Sequence, residues 1–176
     1  MTTSLRARPE STEYAPFYHR YIEQVPDGDI VSHLRSNGRE LLETIGRIPE
    51  ERGGHRYGPD KWTIREVIGH LTDAERIFAY RALRIARGDQ TLLPGFDENA
   101  YVVAAGSDER TLADLARELA AVRESTVLLF ESFPDEVWAR MGNANGNPMS
   151  VRALAYVLVG HPAHHLRILH ERYGVE

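Results

Sequence analysis

Four of the chain's eight histidines fall in one short stretch, His161-Pro-Ala-His164-His165 followed by His170, while cysteine is absent altogether. Around them Val151, Leu154, Leu158, Leu166 and Leu169 trace an apolar stripe at helical spacing that passes through positions 161 and 165. An i, i+4 pair of imidazoles lies on one helix face, about 6 Å apart along the axis, which lets both converge on a single ion. A third imidazole is available at His70, which stands between Val67, Leu71 and Ala74 on the inward side of another helical segment. Three neutral ligands leave a divalent ion one open position and its full charge, so it can act as a Lewis acid and lower the pKa of a bound water towards about 7. The same residues have a plainer reading, because a single inward histidine also suits a hydrogen-bonded core position. His164 is read as facing outward, supporting the site indirectly or playing no part, and His19, His33, His55 and His170 as surface or packing residues.

The missing cysteines exclude disulfides, thiolate metal sites and a cysteine nucleophile, so any sulfur in the chemistry must arrive on a co-substrate. With 21 Lys+Arg against 26 Asp+Glu, a net charge of −5 and no long basic run, nucleic-acid binding is not expected. No stretch approaches the roughly 18 uninterrupted apolar residues of a membrane span, and Met1 to Glu13 is polar, so a cytoplasmic protein away from membranes is expected.

Four amphipathic helices are needed to place these side chains. The first runs from Asp29 to Pro49 through Ile30, Leu34, Leu41, Leu42, Ile45 and Ile48. The second starts at the capping box Thr63-Ile-Arg-Glu66, is stapled by Trp62 onto Val67, and ends at Gly88. Its inward face carries Val67, Leu71, Ala74, Ile77, Phe78 and, at its far end, Arg81. The third spans Thr111 to Ser132 with Leu112, Leu115, Leu119, Val122, Thr126 and Leu129 inward. Residues 141–148 (MGNANGNP) form a turn-rich loop, and Ser150 caps a fourth helix from Val151 to Tyr173, stopped by Gly174. Pro162 inside that helix deprives the Leu158 carbonyl of its partner, so a kink or local bulge is expected there.

The result is an all-α four-helix bundle over residues 28–176, with an extended arm over 1–27 packed through Tyr14, Phe17, Tyr18 and Tyr21. The connection between helices two and three, residues 88–110, is unusually long for a compact domain and long enough to cross the bundle. It carries Asp97 and Glu98, carboxylates that can take a proton if the loop folds over the open metal position. Their alternative is a solvated turn with Asp97 capping a local helix.

Three stretches together resemble the DinB-like superfamily, in particular its YfiT-type metal-dependent hydrolases and bacterial thiol S-transferases. Lys61-Trp-Thr-Ile-Arg-Glu-Val-Ile-Gly-His70-Leu-Thr-Asp-Ala-Glu75 is similar to the family's Trp-Thr/Ser-x-x-x-Val-x-x-His-Leu-x-Asp motif. Pro94-Gly-Phe-Asp-Glu-Asn-Ala-Tyr101 is similar to its Pro-Tyr-Asp-Glu-x-x-Trp loop, and His161-Pro-Ala-His-His165 falls on its His-x3-His pair. The resemblance runs from about residue 28 to 174 and implies zinc or nickel held by His70, His161 and His165. Pro162, Tyr101 and Arg167 depart from the usual pattern.

The expectation is therefore a metal-dependent enzyme that activates water or an external low-molecular-weight thiol, such as bacillithiol or mycothiol, towards a small-molecule substrate, with Asp97 and Glu98 as candidate catalytic carboxylates. A homodimer is expected. The alternative is a DinB-like bundle that binds metal or a small ligand without turnover, or serves as a dimerisation module.

Overall fold

A computed structural model describes residues 6–176; the first five residues of the arm lie outside the described residues. Six α-helices appear there: α1 (His19–Ile22), α2 (Ile30–Arg47), α3 (Ile64–Ala86), α4 (Glu98–Ala105), α5 (Leu112–Glu131) and α6 (Val151–Tyr173). The four long ones are the four expected from spacing, and each starts on a side-chain cap. Asp29 accepts from Ser32 N, Thr63 from Glu66 N, Thr111 from Asp114 N and Ser150 from Ala153 N. The capping box closes as expected: Thr63 Oγ1 accepts at 3.0 Å and Glu66 Oε2 accepts from Thr63 N at 2.7 Å. Gly174, at φ 63°, ends α6 in the left-handed conformation.

The four long helices form a ring in the order α2, α5, α3, α6, so α2 faces α3, and α5 faces α6, across the bundle. The diagonal is therefore crossed by the α2–α3 and α5–α6 connections. Residues 88–110, expected to be long enough for a crossing, instead join the neighbours α3 and α5. Their length is used to build α4, which packs on α3, and an extended piece at Leu93.

Residues 141–150 are more ordered than the turn-rich loop expected from sequence. They form an antiparallel hairpin, β1 (Met141–Ala144) and β2 (Asn147–Ser150), around Asn145-Gly146, whose φ values of 54° and 75° suit a tight hairpin turn. Leu93 lies along this hairpin, donating to Asn143 O at 3.1 Å and accepting from Asn145 N at 2.8 Å. The long connection is thereby pinned beside the bundle.

Two apolar clusters fill the interior. One joins Leu34, Ala74, Phe130 and Leu154, and the other joins Leu41, Ile68, Leu115 and Leu169. Between these two levels, α5 turns inward differently from the expected stripe: Arg123, Val127 and Phe130 are buried, while Val122 and Leu129 are only partly so. Arg123 meets Glu75 through two parallel bonds of 2.7 and 2.8 Å, and it also donates to Leu34 O, Asn37 Oδ1 and Leu158 O. Gly38 makes this possible, because a methyl group there would collide with the Arg123 side chain.

The bond to Leu158 O, at 3.3 Å, changes the expectation for Pro162. That carbonyl is the one Pro162 cannot serve, and the guanidinium serves it instead. α6 accordingly stays α-helical from Val151 to Tyr173, and the expected bulge does not form.

Candidate metal centre

The polar level between the two apolar clusters also holds the histidines. His70 on α3 and His161 on α6 are buried, and His165, one turn further along α6, is half-buried. Their side chains meet at one point. His70 Nε2 lies 3.1 Å from His161 Nε2, and His165 Nε2 lies 3.2 Å from His161 Nε2. One ligand atom from each of the three falls within 4.8 Å of the others. Two imidazole nitrogens bound tetrahedrally to zinc at 2.0–2.1 Å stand about 3.3 Å apart, a separation that the two observed spacings approach.

Burial keeps these rings neutral, which is the form that binds metal. It lowers the pKa of His70 to about 4. His165 is lowered to about 3, by burial first and then by His70, His164 and Arg20. His161 is pushed well below the ordinary value by burial, with His165 adding to the effect.

Aromatic rings fix the imidazoles from several sides. The Trp62 ring lies 4.7 Å from that of His70, and Tyr21 and Phe78 meet His161 edge-on at 5.3 and 6.0 Å. Tyr21 comes from the N-terminal arm, whose α1 closes on α6 at Gly160; any larger residue at 160 would strike the Tyr21 backbone. Spacing gives Tyr21 a packing role only, and its place beside His161 depends on this long-range contact.

Two cavities reach the cluster. The first, about 260 Å³, is polar at its walls, with Arg20, Lys61, Trp62, His164 and His165. His164, read as outward from sequence, is half-buried at this wall, and its ring lies 5.4 Å from that of Tyr21. The second, about 280 Å³, is lined by Phe17, Tyr18, Phe78, Arg81, Phe96 and Asn145. Tyr21, His70, Glu98 and His161 line both.

The two carboxylates of the long connection separate here. Asp97 caps α4, accepting from Asn99 N at 3.0 Å and Ala100 N at 3.1 Å, and it lines neither cavity. Glu98, the first residue of α4, lines both. His19, His33, His55 and His170 lie away from the cluster; His170, for example, holds the Val175 carbonyl.

Comparison with known proteins agrees with the fold. The DinB superfamily profile matches residues 33–169. A solved structure from Bacillus subtilis, YfiT, described as a probable metal-dependent hydrolase with an unusual four-helix bundle topology, is similar at TM-score 0.75 and 17% identity. The match covers 99% of this chain and 100% of that one. A mycothiol-dependent maleylpyruvate isomerase is similar at TM-score 0.62 and 11% identity, over 80% of this chain and 61% of that one. No curated protein matches the sequence.

Proposed function

This chain belongs to the DinB superfamily, and on that premise we propose that it is a metal-dependent enzyme in which His70, His161 and His165 hold one divalent transition metal, zinc or nickel. The observation that carries the reading is the convergence of three neutral Nε2 atoms at 3.1 and 3.2 Å. When bound, such an ion supplies Lewis-acid chemistry that favours the deprotonated form of a water or thiol nucleophile.

The remaining work falls to the protein's own groups. Glu98 lines both cavities and accepts the proton that the nucleophile gives up. Asp97 holds the start of α4 and so the position of Glu98. Arg20 and Lys61, balanced by Asp60 and Glu98, favour a strongly polar partner in the first cavity. Two cavities meeting at one centre suit two small molecules better than one molecule and water, which favours transfer of an external low-molecular-weight thiol over simple hydrolysis. The mycothiol-dependent relative supports the same choice. A chain without cysteine brings no competing thiol to that centre. We place the enzyme in the cytoplasm, where such thiols are kept reduced, as a homodimer.

The test is a screen of the metal-loaded protein with thiol plus electrophile, amide and ester substrates. Thiol conjugation that vanishes with a chelator and returns with zinc or nickel is expected. Conjugation that survives chelation overturns the metal-dependent reading, and no turnover with any class overturns the enzyme reading in favour of a binding module.

A further inference from the structure

Arg81 lies on α3, eleven residues beyond His70 and roughly 16 Å along the helix from it. It is only 3% exposed. One of its nitrogens, Nη2, donates to Pro94 O at 2.7 Å, and its guanidinium carbon lies 5.8 Å from the centre of the Phe78 ring. Among the described residues it forms no ion pair. Every other deeply buried arginine tells a different story: Arg123, 5% exposed, is paired bidentately with Glu75 and has five acceptor contacts. With one carbonyl partner the guanidinium leaves most of its five donors unused, and these remain reachable from the adjoining cavity, where an anion would complete them.

The unused donors face a cavity. Arg81 lines the second cavity, whose walls are aromatic at Phe17, Tyr18, Phe78 and Phe96 and polar at Asn145, Asn147 and Glu98, with the cluster histidines His70 and His161 also lining it. Phe78 spans the interval, touching both the Arg81 guanidinium and the His161 ring. Planar guanidinium donors match a carboxylate in a bidentate fork.

We propose that the second cavity is the binding site for a small aryl or alkyl carboxylic acid, its carboxylate on Arg81, its apolar body along Phe78 and Phe96, and its far end at His70 and His161. The inference deepens the two-substrate reading above by naming the class of the second molecule; its reactive carbon is the end remote from the carboxylate. Arg81 is on this account a specificity-determining residue, and the Pro94 bond positions it.

Titration calorimetry with 4-phenylbutyrate and its uncharged amide, 4-phenylbutyramide, tests this on protein stripped of metal and on protein reloaded with zinc. The acid is expected to bind roughly tenfold or more tightly than the amide in both forms. Arg81→Gln should bring the acid down to the level of the amide, while Arg81→Lys retains part of the preference. Equal binding of acid and amide, no binding of the acid, or an acid preference that survives Arg81→Gln overturns the proposal. So does a preference seen only with zinc, which would put the carboxylate on the metal. The comparison of acid with amide needs no variant, so it stands if Arg81→Gln fails to fold. Because it is made on metal-free protein as well, a chain that holds no metal would defeat the metal reading and leave this one standing.

Discussion

His70, His161 and His165 come together from positions 91 and 4 residues apart, and what unites them is burial in a level that the apolar clusters leave open. Burial has a thermodynamic signature. The folded state holds His70 at about 4 against an ordinary value near 6.5, so the stability it contributes is complete above about pH 6.5 and is lost as pH falls towards 4. Metal-free protein should lose about 2 kcal/mol from His70 alone between pH 7 and 5, with His165 adding to the loss. Urea melts at the two pH values check this, and His70→Phe should reduce the dependence by about His70's share. Glu98 makes a kinetic prediction at the same scale. Glu98→Gln should leave metal content unchanged and slow turnover by about 100-fold, within the range of lost general-base assistance. An unchanged rate would move the proton elsewhere.

At the level of elements, the sequence is informative wherever the signal is local. Helical phase puts His161 and His165 on one face, and the Thr63–Glu66 capping box fixes where α3 begins. Phase also places Arg81 inward, but only the fold shows that it has no carboxylate beside it. The signals that fail are those decided by distant partners. Arg123 is buried because Glu75, 48 residues away, and the carbonyl freed by Pro162 both await it, and no local pattern on α5 announces either. The hairpin at Asn145-Gly146 has a turn signal, yet its strands, with Gly142 and Pro148, lack the alternating β-branched residues that mark strands. The pairing of Arg123 with Glu75 can be measured. Removing one partner of a buried ion pair costs about 3–5 kcal/mol, so Glu75→Gln and Arg123→Leu should each destabilise strongly. The double variant Glu75→Leu with Arg123→Leu should recover part of the loss, and chemical denaturation of all three forms checks both expectations.

For the whole molecule, the ring order α2, α5, α3, α6 brings the second and fourth long helices side by side, and only this adjacency lets His70 meet the α6 pair. The N-terminal arm and the α4 segment then wall the two cavities, so residues far outside the helical ligand set decide what reaches the centre. A homodimer should sediment at twice the 19.9 kDa chain mass, and a species of 19.9 kDa at micromolar concentration would refute it. The central claim is the metal itself. Elemental analysis of protein purified without a histidine tag should find close to one zinc or nickel per chain and almost none in His165→Ala; a metal-free wild type, or a variant that keeps its metal, would contradict the account.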